Sequence, residues 1–237
     1  MSTTWIIIIS IIAFAVLLCF LLAVANYSYD KFLQNFQSLN KRPIRAGLST
    51  LDFISGLNDK YFNGALQIVQ ISALAGDAYL KGKIYLSTSS LYQNSLASFT
   101  IIAHEMGHAR QDKEGKKLKH LLLMRRIGRL LGVLFAPSII AGLIFLIFEG
   151  ALQTAGIVLL ASGAGIFLLA LLVKILTISI EKDASKKAIV FLSEILNSEE
   201  LQLAKSLLRD AKLTYWADFL RILLGWTALS KKSKLFN

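Results

Sequence analysis

Three stretches of this chain carry no charged side chain: residues 1–29, 130–148 and 150–173. Each is close to the ~20 residues that a helix needs to cross a hydrocarbon core. Backbone in lipid must satisfy its own hydrogen bonds, and a helix does so within one segment. The three stretches therefore predict three transmembrane helices, the first centred on the apolar run from Trp5 to Ala25. A hydrophobic content of 55% and a mean hydropathy of +0.58 agree with that reading and not with an ordinary soluble domain.

The net charge of +11 raises nucleic acid as a partner, but its distribution explains it better. All 26 Lys and Arg residues lie in 31–129 and 174–237, segments that three spans leave on one side of the membrane. The positive-inside rule makes that side the cytoplasm, with the N-terminus outside. No basic surface interleaved with aromatics is present, so nucleic acid is excluded. The densest basic cluster is Arg110, Lys113, Lys116, Lys117, Lys119, Arg125, Arg126 and Arg129. It leads directly into the second span and reads as a topology determinant or as a holder of anionic headgroups. Ala23-Val24-Ala25 resembles a signal cleavage site. The missing basic n-region, the long apolar run and the charge rule favour a retained anchor instead. Cys19, the single cysteine, lies mid-span and has no internal disulfide partner.

The expected organisation is an anchor over 1–26, a first cytoplasmic segment over 27–129, a membrane hairpin over 130–174 and a second cytoplasmic segment over 175–237. In the first cytoplasmic segment, Asn26 to Leu39 reads as an amphipathic helix. Ser49 or Thr50 can cap a helix running to about Asn58. Ala65 to Ser72 and Tyr79 to Ser87 read as short strands, with Gly82 marking a turn or bulge. Asn94 or Ser95 can cap a helix carried to about Lys117, apolar at Leu96, Phe99, Ile102, Ala103 and Met106. In the membrane hairpin, Pro137 can kink the second span, and Gly156, Gly163 and Gly165 suit close packing of the third. Ser193 to Ala211 reads as a charged amphipathic helix. Thr214 to Leu229, broken by Asp218 and Arg221, reads as an interfacial helix and not as a fourth span.

The helix from Ser95 carries His104-Glu105-Met106-Gly107-His108, which holds two of the chain's three histidines. Residues four apart share a helix face, so both imidazoles can reach one metal ion with Glu105 beside it. This is the H-E-x-x-H pattern of zinc peptidases, in which the carboxylate takes a proton from zinc-activated water. Gly107 weakens the helix; a missing side chain there would let another element approach closely, and simple tolerance of a weak residue explains it nearly as well. A catalytic zinc usually has three protein ligands and one open position, and the third must come from the same compartment. Glu181 and Asp183 are the candidates, because the hairpin returns the chain to the motif's side there. They lie about 200° apart around a helix, so only one of them can point at the ion.

His104-Glu-Met-Gly-His-Ala109 followed by Glu181-Lys-Asp-Ala-Ser-Lys-Lys-Ala188 resembles the YugP-like membrane zinc metallopeptidases. The stretches Asp77-Ala-Tyr79 and Ile84-Tyr-Leu-Ser87 are similar to that family's strand ahead of the motif. The layout also resembles, more distantly, the HtpX-type and CAAX prenyl proteases. The resemblance implies one zinc ion held by His104, His108 and Glu181, with Glu105 catalytic and Asp183 in a supporting role. It implies a mainly α membrane protein: three transmembrane helices and a small α+β zincin-like (gluzincin) catalytic domain with a short β-ribbon. Lys182 stands where the family has an aromatic, and the turn at Gly82 is shorter. The function expected is a membrane-bound zinc endopeptidase acting on proteins or peptides near the bilayer. The alternative is a catalytically idle membrane adaptor or chaperone on the same fold, against which the intact Glu105 argues. An edge strand beside the metal helix could bind substrate backbone by strand addition, or simply stabilise the fold. Tyr79, Tyr85 and His120 are the residues weighed for stabilising the oxyanion, and each reads more readily as structural.

Overall fold

A computed structural model describes residues 3–72, 76–115 and 118–223. Helix α1 (Thr3–Asn40) is continuous, joining the apolar anchor to the amphipathic stretch that follows it. Helix α2 (Thr50–Phe62) starts at Ser49, whose hydroxyl accepts the Asp52 N–H. Three strands follow, β1 (Gln67–Ile71), β2 (Ala78–Leu80) and β3 (Lys83–Ser87). They form one sheet in the order β1-β3-β2, with β1 parallel and β2 antiparallel to β3. The expected second strand is thus a hairpin, folded over Lys81 and Gly82, both at positive φ. A short helix α3 (Thr88–Tyr92) leads into the motif helix α4 (Leu96–Lys113), which Ser95 caps through the Ser98 N–H. Asn94, the other candidate cap, instead accepts the Thr50 N–H. Lys116 and Lys117, where the motif helix was expected to end, lie outside the described residues.

Helices α5 (Leu118–Phe145) and α6 (Ala151–Leu192) make the hairpin, joined through a tight turn at Gly150. Among the described residues, two helical segments are long and apolar enough to cross a membrane, His120–Phe145 and Ala151–Leu192. Helix α5 runs unbroken through Pro137. The packing glycines divide. A Cβ on Gly156 would meet the Gly142 carbonyl oxygen at 2.9 Å, and one on Gly163 would meet Ile139 at 2.6 Å, but Gly165 faces open space. Helix α6 does not stop at the end of its apolar run: its 42 residues span about 63 Å and carry Glu181 on the same rigid rod.

Helix α7 (Ser198–Leu223) replaces the two helices expected near the C-terminus, since Lys212 to Thr214 continue it without a break. Residues 224–229 of the expected interfacial helix lie outside the described residues. Asn197 and Glu200 start α7 as a reciprocal pair, each side chain accepting the other's N–H. The second Glu200 oxygen accepts the Arg45 N–H, which ties this helix start to the loop after α1. Asn35 on α1 donates to Asp210 and Ser206 on α7.

One core joins the segments before and after the hairpin. Phe32, Phe53, Ile84, Phe99, Ile102, Met106, Phe191 and Leu207 all belong to it. Helix α4 lies at its centre, and even Ser98, Thr100, His108 and Gln111 are buried. This explains why an apolar-face reading under-describes the helix. A smaller apolar cluster, with Phe135 of α5, Val173 of α6 and Phe219 of α7, seats the end of α7 on the base of the hairpin.

The contact between α4 and α6 runs through Gly107. A Cβ there would lie 2.4 Å from the Ala184 carbonyl oxygen and 3.0 Å from its carbonyl carbon. Both are backbone atoms, so no rotamer change relieves the clash. Gly107→Ala should destabilise the protein by about 3 kcal/mol or more, beyond ordinary overpacking. Gly165→Ala should stay within about 1 kcal/mol of wild type. Thermal unfolding in detergent checks both, and equal stability of the two variants would contradict the packing described.

Candidate metal centre

His104 and His108 sit one turn apart on α4, with ring centroids 4.9 Å from each other. Glu181 enters from α6. Its Oε2 lies 3.3 Å from His104 Nε2 and 3.2 Å from His108 Nε2. A tetrahedral zinc with bonds of 2.0–2.1 Å separates its ligand atoms by about 3.3 Å. Two imidazole nitrogens and a carboxylate oxygen at these spacings match that geometry and that donor chemistry. Among the described residues this trio is the group that could hold a metal ion, its ligand atoms all within 4.8 Å of one another. Glu181 and His108 are buried, and His104 nearly so.

The tautomer of His108 follows from its neighbours. Gln111 Nε2 donates to the Ile180 carbonyl and to Asp183 Oδ2, both at 2.8 Å. Neither acceptor can donate, so the Gln111 amide orientation is fixed and Oε1 faces His108 Nδ1 at 3.0 Å. Nδ1 must then carry the proton, which leaves the Nε2 lone pair free for a metal. Asp183 therefore stands behind Gln111 and outside the trio. On the other histidine, Ser185 Oγ lies 3.3 Å from His104 Nδ1.

Glu105, next to His104 on α4, reaches the sheet. Its Oε2 accepts the Tyr79 backbone N–H at 2.7 Å, across from the motif helix on strand β2. Burial raises the Glu105 carboxyl above the ordinary carboxylate range, and the charge of Glu181 adds to this against the opposing pull of the two imidazoles. The Tyr79 hydroxyl is used elsewhere, donating to Asp112 at 2.8 Å and accepting the Gly82 N–H at 2.9 Å. Burial and the bond to Asp112 push that phenol up to about 12. His120, at the start of α5, is exposed and outside the trio, and Tyr85 is a partly buried residue of β3.

Two further side chains reach Glu181. Arg125 Nη2, from α5, donates to Oε1 at 2.6 Å. The Tyr215 hydroxyl, from α7, donates to Oε2 at 2.9 Å. In the sequence Arg125 is one cation of a basic cluster that reads as a topology determinant or a holder of anionic headgroups, and Tyr215 lies in a stretch that reads as an interfacial helix. No local pattern ties either residue to the motif. Gln111 had a legible signal, lying three residues beyond His108 on the same helix.

A family model described as "putative neutral zinc metallopeptidase" matches residues 9–229. No curated protein and no solved structure gave a significant match. With nearly the whole of its length matched, and with a buried two-histidine, one-glutamate group at its centre, the chain belongs to this family of neutral zinc metallopeptidases.

Proposed function

We propose that this chain is a membrane-bound zinc endopeptidase that cuts proteins or peptides at the cytoplasmic face of a bilayer. The observation that carries the reading is the convergence of His104, His108 and Glu181 from both sides of the hairpin, with Glu105 beside them. His104 and His108 supply neutral Nε2 atoms and Glu181 one carboxylate oxygen. A zinc ion held there supplies an acidified water and polarises a scissile carbonyl. Glu105 is the general base. The Tyr79 N–H occupies its Oε2, so Oε1 takes the proton from the attacking water and returns it to the leaving amine nitrogen. Asp183 acts through Gln111, which fixes the His108 tautomer and ring.

The topology is three spans with the N-terminus outside. The site draws on residues before and after the hairpin, which requires both ends of the hairpin on one side. The C-terminal half of α1 packs against α7 on that same side, leaving the uncharged first half of α1 to cross the membrane. Surface near the bilayer is then the surface that substrates reach.

Purified protein should contain about one zinc per chain, measured by elemental analysis, and lose it in His104→Ala and Glu181→Ala. Glu105→Gln should keep the zinc while peptide cleavage falls by about 10³-fold. A folded, metal-free wild type would exclude the zinc reading. Retained metal with equal cleavage in wild type and Glu105→Gln would favour the idle adaptor. Gln111→Leu should weaken zinc binding about 10- to 100-fold in a chelator competition. For topology, single cysteines at Lys113 and Lys205 in a Cys19→Ser background should be labelled from the same side of sealed vesicles. Labelling from opposite sides would overturn the three-span arrangement.

A further inference from the structure

Glu181 is almost completely buried, and both of its oxygens are engaged by groups outside the ligand trio. Oε2 faces the two imidazoles and the Tyr215 hydroxyl. Oε1 faces away from that pair and holds the Arg125 guanidinium at 2.6 Å. These partners come from α5 and α7, not from the two helices that carry the ligands. Tyr215 is held from behind, its ring under the Lys174 ammonium at 5.5 Å, while Trp216 and Phe219, one and four residues further along α7, pack on the hairpin base. The Arg125 side chain is half exposed on its other side.

A free carboxylate can give a metal one oxygen or two, and giving two fills the position that a catalytic zinc keeps open for water. A charge-assisted bond from a guanidinium is among the stronger hydrogen bonds available in a protein. We propose that Arg125 is a positioning residue that occupies Glu181 Oε1 and so restricts Glu181 to one coordinating oxygen. Tyr215 orients the other oxygen toward the histidines. The open position of the centre is therefore kept by the hairpin helix α5, which contributes no ligand. Sharing its charge with a cation also makes Glu181 a weaker donor, which leaves a bound metal more electron-poor and more able to acidify water.

The inference rests on the metal reading above, and cobalt substitution separates the two, because its visible spectrum reports coordination number without any turnover. Wild type loaded with Co²⁺ should show the intense visible bands of a four-coordinate site. Arg125→Gln should lose them in favour of the weak bands of a five-coordinate site. Arg125→Lys, which keeps a cation beside Oε1, should restore most of the intensity. Tyr215→Phe should keep the four-coordinate spectrum and lower Co²⁺ affinity about tenfold. A wild type that takes up no metal would sink the metal reading itself. A five-coordinate wild type, or an Arg125→Gln spectrum identical to that of wild type, would overturn the role of Arg125 alone. Should Arg125→Gln show no cooperative unfolding without metal, the wild-type and Arg125→Lys spectra decide.

Discussion

Everything about the metal centre depends on how closely α6 can approach α4. The contact is backbone against backbone, Gly107 against the Ala184 carbonyl, with Ala188 one turn further along also fully buried. Glycine between two histidines is a poor choice for helix stability and the choice that this crossing requires. Ala184 follows Glu181 by three residues, so the point of closest approach lies within one turn of each of the three side chains that meet. Moving the helices apart by the width of a methyl group would open both separations between Glu181 and the histidines together.

Around that crossing the protein builds concentric layers of polar contact. The trio lies innermost. Gln111, Ser185, Arg125 and Tyr215 touch it, and Asp183 and Ile180 hold Gln111 in turn. Four helices contribute, and two of them belong to the hairpin. Burying this much polarity next to apolar helices is tolerable because each group has a partner with a defined donor or acceptor role.

Much of this was legible in the sequence, for identifiable reasons. The motif, its N-cap at Ser95 and the hairpin are local patterns, and local patterns survive without knowledge of the fold. Glu181 was narrowed to one of two carboxylates by the charge map, since both ends of a hairpin return to one side. Gly107 stood out in the helix but fitted tolerance as well as close approach, and only the packing against Ala184 decides between them. What stayed hidden was long-range. Arg125 and Tyr215 lie 56 and 34 residues from Glu181 and belong to no spacing rule. The single helix α7 reads as two in the sequence because a charged amphipathic stretch gives way to an aromatic and apolar one near Thr214, and the backbone continues through that change. Gly165 matched its neighbours in type but not in facing, which composition cannot report.

The continuity of α6 has a mechanical consequence. Between Ala151 and Leu192 there is no proline or loop to act as a hinge, and the same rod that sits in the apolar hairpin ends beside the histidines. A stiff helix transmits tilt along its length, so any reorientation of the hairpin is carried as a torque to Glu181 itself. The crossing at Gly107 is the fulcrum of that lever, and the contacts of α7 with both α1 and the hairpin are its brace.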